Sequence, residues 1–395
     1  MISVSFFVFS FLLPIAAGYY LFTLYAAWRF FQQDTSNAGA LSPVSIFKPL
    51  KGAAPDLYDN LASFCRLDYP CFQLLCGVRD PHDPAIAVIE RLCRDFPAHD
   101  ISLVTNPEIV GSNYKVNTLH HLVGKATYDI FVVSDGDVRV EPDYLQKVIS
   151  PLSDPRVGLV TCPYRGDTTS PFPALLESLI INTSFIPQVL VSSQVEETTY
   201  AFGATIAVKR QCLNQIGGFA AIADYLADDY YLGYLITRAG YRARIVPHVV
   251  STSPGITTMK DLFYHQLRWA RTQHNCRPAG HFGTLVTYGT VWAVLGLLLF
   301  RSSPLIQVLS LTTLGIRLLS AGIVGGFRLK AALTLKALWL VPLADLFSFI
   351  VWCTSLGGNT VRWREHTFRI QRDGRMVQVA ETSPLALQSQ RSPLR

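Results

Sequence analysis

The sequence predicts a water-soluble α/β domain with a mostly parallel sheet, joined to transmembrane α-helices on both sides. Three observations lead to this fold class. Charge is nearly missing from two regions, because residues 1–32 carry one charged side chain and residues 283–327 carry two. Residues 33–280 hold 21 Lys/Arg and 24 Asp/Glu, as a soluble domain does. Within that region, apolar runs of strand length alternate with stretches of helical spacing.

The composition narrows the class of protein. Hydrophobic residues make up 50% and aromatic residues 12% of the 395 residues, which excludes an intrinsically disordered chain. The net charge of +6 arises outside the central domain, since residues 362–395 contain seven arginines and three acids. Without a basic stripe on the soluble domain we expect no nucleic-acid partner. The eight cysteines form no CxxC pair, so we expect reduced core thiols.

The N-terminal region, residues 1–32, is predicted to be a transmembrane anchor. Residues 2–27 are uncharged, and 26 residues are enough to cross ~30 Å of hydrocarbon. A cleaved signal peptide is the alternative, but no basic segment precedes the run and the run is too long for one. Arg29 follows the apolar run, so we expect the next domain to lie in the cytoplasm.

Three further membrane candidates lie in the C-terminal region 281–358, at 283–300, 304–327 and 332–356. Four full crossings from an outside N-terminus would put the basic tail, residues 359–395, outside the cell, against its charge. One candidate is therefore expected to be re-entrant or interfacial, and the last is the weakest because Asp345 lies in its middle. Residues 171–195 are predicted to form an interfacial helix on the membrane surface.

The soluble domain is predicted over residues 40–280. Its first predicted strands are the apolar runs Val44–Phe47, Phe72–Val78, Ile101–Val104 and Asp129–Ser134. Between and after them, helical spacing predicts helices over 56–66, 83–96, 115–123 and 142–150. Further strands are predicted at Tyr200–Val208 and Tyr241–Val246, with further helices from Asp228 to Gly240 and over 260–274. Ligands bind at the carboxyl ends of the strands in such sheets, so residues that follow strands are the candidates for a site.

Acidic residues follow two of these strands. Asp80 comes after Phe72–Val78, and Asp135-Gly136-Asp137 comes after the run that ends at Ser134. Asp and Gly are also common in turns, so the alternative interpretation is that these clusters only form turns. Two carboxylates on one tight turn suit Mg²⁺ or Mn²⁺, which prefer oxygen ligands and keep diphosphate oxygens in their shell.

Two later motifs add polar side chains. Asp229 lies at the start of a predicted helix, where it is either a helix cap or a general base that accepts a proton from an attacking hydroxyl. In His265-Gln266-Leu267-Arg268-Trp269, Gln266 and Trp269 share one helix face. Arg268 is either an interfacial anchor or a clamp for a diphosphate.

Together these motifs resemble the D…D…D…(Q/R)xxRW signature of family-2-like GT-A glycosyltransferases. The sequence is more similar still to the ceramide glucosyltransferase family and to its bacterial branch associated with hopanoid biosynthesis. The resemblance covers about residues 44–280 and extends to the membrane layout. The blocks that carry it are FKPLKG (47–52), VRDPHDPA (78–85), GSNYKVNTL (111–119), RVEPDYL (139–145), LADDYYLG (226–233) and HQLRW (265–269).

The resemblance implies a GT-A fold, Rossmann-like with a mostly parallel sheet, and a role for each matching residue. Gln266 is taken as the first position of the last motif, where ceramide-type members have Arg. The implied donor-binding residues are Asp80 at the uridine, Lys115 near the phosphates, Asp135, Gln266, Arg268 and Trp269. Asp135 and Asp137 are the implied metal ligands, and Asp229 is the implied catalytic base.

The implied reaction is inverting transfer of glucose or N-acetylglucosamine from a UDP-sugar to a hydroxyl of a membrane lipid, ceramide-like or hopanoid, to give a β-glycoside. The implied cofactor is Mg²⁺ or Mn²⁺. We expect a multi-pass protein of the bacterial inner membrane whose catalytic domain faces the cytoplasm. A processive polysaccharide synthase of the cellulose or chitin type is the alternative, but its polymer channel needs more spans than the candidates found here.

Overall fold

The computed structural model describes residues 4–33, 41–363 and 366–379. The predicted start of the soluble domain at residue 40 and the predicted tail beyond residue 379 lie outside the described residues. The strands of the central domain are β1 Val44–Pro49, β2 Phe72–Val78, β3 Asp100–Thr105, β4 Ile130–Val133, β5 Val138–Arg139, β6 Val157–Thr161, β7 Tyr164–Gly166, β8 Ile206–Lys209, β9 Arg242–Ile245 and β10 Val250–Thr252.

Seven of these strands form one twisted sheet in the order β3-β2-β1-β4-β8-β6-β9. All neighbours are parallel except β8, which runs antiparallel to both β4 and β6. Central strands such as β1 and β4 are buried on both faces, which explains their nearly continuous apolar sequences. The predicted α/β fold with a mostly parallel sheet is confirmed. Strands β5, β10 and β7 form a second, small sheet beside it.

Helices cover both faces of the large sheet, and the four predicted over 56–150 are present. The helices of the central domain are α2 Leu57–Phe64, α3 Ala85–Asp95, α4 Tyr114–Val123, α5 Tyr144–Ile149, α6 Phe172–Ile180, α7 Ile186–Val195, α8 Arg210–Gln215, α9 Asp228–Arg238 and α10 Met259–Cys276. The strand predicted at Tyr200–Val208 is wrong in its first half. Residues 200–205 form a turn, closed by a 3.0 Å hydrogen bond from Thr205 N to Phe202 O.

Within the described part of the chain, four helical segments are long and apolar enough to cross a membrane, and a bent pair would be a fifth if it forms one span. They include α1, Val4–Phe31, and Pro304–Arg328, which joins α13 (Pro304–Ser320) to a π-helical extension. The bent pair contains α11, Pro278–Gly283, and α12, Gly289–Leu299, with a 46° bend. Phe300, at the end of α12, contacts Phe6 and Phe9 near the start of α1.

The segment predicted as an interfacial helix is a continuous helical rod formed by α6, a π-helical turn at Ile181–Phe185, and α7. It differs from a helix resting on a membrane surface, because 72% of its most apolar window is buried inside the protein. The Asn182 side chain hydrogen-bonds both the N and the O of Gly166 on β7 at 2.9 Å. This pairing fixes the rod against the central domain.

The end of the described chain returns to the central domain. Helix α15, Val341–Ser355, packs along α10 and α6 and is preceded by the short α14, Ala332–Lys336. A three-stranded antiparallel sheet follows, formed by β11 Thr360–Trp363, β12 His366–Ile370 and β13 Met376–Gln378. Met376 N donates to Asp224 O, next to α9. The region predicted only as a basic tail therefore contains a folded sheet.

Candidate active site

One cavity of about 960 Å³ lies between the carboxyl ends of the large sheet and the apolar helices. All eight residues predicted for the site from the sequence line it. They are Asp80, Lys115, Asp135, Asp137, Asp229, Gln266, Arg268 and Trp269. Residues that are far apart in the sequence therefore converge on one space.

The ends of β1, β2 and β4 place the first acidic residues. Asp80 follows β2, and its Oδ1 accepts a 2.9 Å hydrogen bond from His82 N, which fixes the turn. Lys48 on β1 is fully buried, and its ammonium donates to Ser134 Oγ at 3.1 Å and to Asp135 O at 2.8 Å. Burial lowers the pKa of Lys48 to about 7. Lys48 thus holds the backbone of the Asp135 turn from beneath.

Lys115 lies at the start of α4 and joins two acidic motifs. Its Nζ is 2.7 Å from Asp135 Oδ1 and 3.3 Å from Asp228 Oδ2. Although burial works in the opposite direction, these carboxylates hold the pKa of Lys115 above its ordinary value. A Cβ at Gly203 would lie 2.8 Å from Asp135 Oδ2 and 2.9 Å from Lys115 Nζ, so only glycine leaves the pair undisturbed.

Asp229 occupies the first turn of α9 and faces the cavity. Gly203 N donates to its Oδ2 at 3.0 Å and Tyr230 N donates to its Oδ1 at 2.8 Å, so both oxygens are oriented. Burial and the neighbouring Asp228 raise the pKa of Asp229 to about 6, although Lys115 and the two amides oppose the shift. A carboxylate with this pKa is ionised at neutral pH and remains basic enough to accept a proton.

Asp135 and Asp137 present carboxylates to the cavity from one turn. Thr252 Oγ1 donates to Asp137 Oδ2 at 2.9 Å. The surrounding protein and the charge of Asp135 raise the pKa of Asp137, so a nearby cation would stabilise its ionised form. Within the described residues, no three His, Cys, Asp or Glu side chains are grouped as a metal site. The two carboxylates fit a hard cation whose other ligands come from a diphosphate and water.

The helix α10 carries the last motif. No hydrogen bond or ion pair with another described residue holds the Arg268 guanidinium, which lies 5.7 Å from the centre of the Trp363 ring on β11. Burial lowers the pKa of Arg268, with nearby carboxylates opposing the shift. The (Q/R)xxRW spacing puts its first residue three positions before Arg268, which is His265. Gln266 was therefore assigned to the wrong position of the motif.

The cavity continues between the apolar helices. There it is lined by Tyr20 of α1, Arg317 of α13 and Asp345 of α15. Arg317 Nη2 is 2.6 Å from Asp345 Oδ1, and both residues are buried. Arg317 Nη1 also donates to Thr183 O, in the π-helical turn, at 2.8 Å. The carboxylate that looked costly in the sequence is thus paired.

Comparison with known proteins identifies the family to which the chain belongs. The model of Glycosyl transferase family 21 matches residues 8–376. The chain belongs to this family. The ceramide glucosyltransferases 3 and 1 of Caenorhabditis elegans are 27% and 29% identical over 242 and 240 residues. These matches cover 61% and 60% of this chain and 51% of each relative, so the chain spans about half the length of those curated relatives.

A solved structure supports the fold of this family 21 chain. The mannosyltransferase PcManGT from Pyrobaculum calidifontis, in complex with GDP-Man and Mn²⁺, superposes with a TM-score of 0.53 at 20% identity. The match covers 88% of this chain and 99% of that one. The predicted GT-A fold and the predicted resemblance to the ceramide glucosyltransferase family are confirmed, whereas the hopanoid branch stays a prediction.

The sequence analysis did not identify three residues of this family 21 chain. Two of them line the cavity, and the third supports the Asp135 turn. Lys48 stands in the quoted block FKPLKG, yet an isolated lysine in an apolar strand gives no signal of what it supports. Glu177 was taken only as a break in an apolar run. Trp363 lies in a region read as a tail, although the alternation of Val361 and Trp363 with charged residues is a strand signal.

Proposed function

We propose that the chain transfers a hexose, glucose or N-acetylglucosamine, from a UDP-sugar to a hydroxyl of a membrane lipid with inversion at the anomeric carbon. The observation that carries the proposal is the shared cavity, which is lined by the acidic motifs at one end and by α1, α13 and α15 at the other. A lipid leaves the bilayer at a cost of roughly 0.8 kcal/mol for each exposed CH₂. An active site continuous with apolar helices lets the hydroxyl enter while the chains stay in the membrane.

The donor is assigned to the sheet end of the cavity. Asp80 contacts the uridine, and Asp135 contacts the ribose and the diphosphate. Lys115 and Arg268 line this end near the carboxylates, and they bind the diphosphate oxygens. Arg268 suits this task because no described carboxylate pairs with it, so its hydrogen-bond donors are available for the donor sugar nucleotide. Gln266 and Trp269 complete the wall.

Asp135 and Asp137 are the residues that would hold Mg²⁺ or Mn²⁺. When bound, the ion supplies positive charge that offsets the charge of the departing UDP. The fit rests on two carboxylates of one turn and on the raised pKa of Asp137. The structural relative PcManGT is described with Mn²⁺, in agreement with this assignment.

Asp229 is assigned as the general base. It accepts the proton of the acceptor hydroxyl while that oxygen attacks the anomeric carbon from the face opposite UDP. An α-linked donor then gives a β-linked product. Arg268 stabilises the charge that develops on the diphosphate. The two backbone hydrogen bonds to Asp229 keep its carboxylate oriented during the transfer.

The cellular setting is part of the same proposal. UDP-sugars are cytosolic, so the catalytic domain faces the cytoplasm, in agreement with Arg29 after α1. We assign the chain to the bacterial inner membrane as a multi-pass protein, with a ceramide-like or hopanoid lipid as acceptor.

The test is a product assay on the purified full chain in lipid nanodiscs. UDP-glucose and UDP-N-acetylglucosamine are each incubated with ceramide, a hopanoid polyol and diacylglycerol, and lipids are identified by mass spectrometry. We expect one sugar added to a lipid, with one donor preferred. A polymer of sugars would favour the processive synthase instead, and failure to modify any lipid would refute the proposal.

A further inference from the structure

The reaction proposed above does not use one buried carboxylate of the cavity, that of Glu177. Glu177 lies on α6, is 1% exposed and lines the cavity. Its neighbours Leu176, Leu179 and Ile180 on the same helix are buried in an apolar cluster with α10 and the segment 333–344. A carboxylate in such surroundings is stable only when its oxygens are hydrogen-bonded.

Only one of the two oxygens of Glu177 has a partner. His265 Nδ1 lies 2.5 Å from Oε1, and Gln266 Nε2 donates to the same oxygen at 3.2 Å. Oε2 is buried and has no hydrogen-bond partner among the described residues. The His265 ring is held in turn against Trp269, with ring centres 4.9 Å apart. The carboxylate is therefore fixed in position, on a residue that lines the cavity, and one of its acceptor oxygens is unused.

Resting on the function proposed above, we propose that Glu177 Oε2 binds a second hydrogen-bond donor of the acceptor lipid. This donor is a hydroxyl or an amide N–H that does not react, while the reacting hydroxyl meets Asp229. The location supports this assignment, because α6 contacts both β7 of the small sheet and the apolar helix α15. Glu177 then selects lipids whose head group carries at least two donors over simple alcohols.

The test compares acceptors of equal chain length in the nanodisc assay, with the UDP-sugar that the donor assay selects. The acceptors are a long-chain primary alcohol, the corresponding 1,2-diol and an N-acyl amino alcohol. We expect wild-type kcat/KM to be on the order of 10- to 100-fold higher for the last two, the range for a hydrogen bond to a charged group. The diol and amide arms show which donor is bound, and equal values for all three would overturn the inference.

The decisive variant is Glu177→Gln. His265 and Gln266 keep the amide oxygen at the Oε1 position, so the NH₂ group replaces Oε2 and presents a donor where an acceptor is needed. We expect the preference to disappear, so that the ratio of kcat/KM for the two-donor lipids to kcat/KM for the simple alcohol falls to about 1 in this variant. Glu196→Gln is the matched control. Glu196 directly follows α7, the last helix of the rod, and it pairs with Arg277 at the protein surface.

UDP affinity, measured by calorimetry on the same proteins, separates the alternatives. Unchanged affinity shows that Glu177→Gln is folded and that the loss concerns the acceptor. A loss of UDP affinity would mean that Glu177 acts on the donor site through Gln266, and would overturn the inference while leaving the proposed function intact. If Glu177→Gln does not fold, the wild-type acceptor series decides alone. A wild type that transfers to no lipid would instead refute the proposed function.

Discussion

At the scale of single residues, the surroundings of Asp229 set its chemistry. Burial and Asp228 raise its pKa, while Lys115 and two backbone amides limit the shift to about 6. A base works only when it is deprotonated, so the proposed reaction requires a pH above this value. We expect kcat/KM to fall about tenfold for each pH unit below 6 and to level off above it.

Replacing Asp229 by Asn removes the base and keeps the size of the side chain. We expect Asp229→Asn to lower kcat by about 10²- to 10⁴-fold and to leave the affinity for the UDP-sugar nearly unchanged. Turnover and donor affinity are measured on one detergent-purified sample, with Asp261→Asn on the surface of α10 as the control. Substantial residual turnover with a wild-type pH profile would exclude Asp229 as the base.

Asp137 provides the second residue-scale prediction. Removing one of two carboxylate ligands should raise the concentration of Mn²⁺ needed for half-maximal UDP binding and turnover by at least about tenfold in Asp137→Ala. Thr252→Ala, which removes only the 2.9 Å hydrogen bond to Asp137, should have a smaller effect. A metal titration of Asp137→Ala that superposes on the wild-type curve would contradict the assignment.

At the scale of elements, the small C-terminal sheet forms part of the wall of the site. Trp363, His366 and Phe368 line the cavity from β11 and β12. The sequence does contain a pattern that predicts this sheet. Apolar residues alternate with polar ones on either side of Asp373-Gly374, and these two residues lie in a turn in which Gly374 has a φ of +86°. The pattern was overlooked because the many arginines of this segment indicated a solvated tail.

Arg271 of α10 attaches this sheet, because its guanidinium donates to the carbonyl oxygens of Gly357 and Thr360. We expect Arg271→Ala to free the sheet from α10, at a cost of about 1–3 kcal/mol. The release should appear as faster proteolysis after residue 356 and a higher KM for the UDP-sugar, since Trp363 no longer lies beside Arg268. Arg156→Ala, at an exposed ion pair, is the control, and equal proteolysis of the two variants would contradict the prediction.

The extent of sequence prediction differs between elements for physical reasons. Strands such as Phe72–Val78 were predicted to the residue, because burial on both faces leaves an apolar run. The turn at 200–205 was predicted as strand, since it is apolar but is shaped by tertiary contacts. The Glu177–His265 pair joins residues 88 apart in the sequence, and no local pattern reveals such a contact. The site residues were found because short motifs follow strand ends.

At the scale of the whole molecule, one ion pair connects four parts of the helical region. Arg317 of α13 contacts Asp345 of α15 and the Thr183 carbonyl of the π-helical turn. Asp345 also accepts from Thr290 Oγ1 of α12. The pair therefore lies at the junction between the membrane helices and the rod against the catalytic domain.

Breaking this pair should weaken the junction. We expect Arg317→Leu to lower the free energy of unfolding by about 3–5 kcal/mol, because Asp345 is left buried without its partner. The double variant Arg317→Leu/Asp345→Leu should recover most of the loss, since no charge then stays unpaired. Denaturant unfolding in detergent micelles measures both. A double variant as unstable as the single one would contradict this explanation.

The direction in which each apolar helix runs determines the side of a bilayer on which the described chain would end. Helix α12 leads away from the catalytic domain and ends beside the start of α1. The helix from Pro304 to Arg328 leads back, so that Leu329 O accepts a hydrogen bond from Arg165 on β7. Helix α15 begins against α6 and its C-terminal Ser355 contacts His281, so it starts and finishes near the same domain. Under the proposed function, this course gives the chain after α1 an even number of passages through a bilayer, and it places Arg362 and Arg369 in the compartment of the sugar nucleotide.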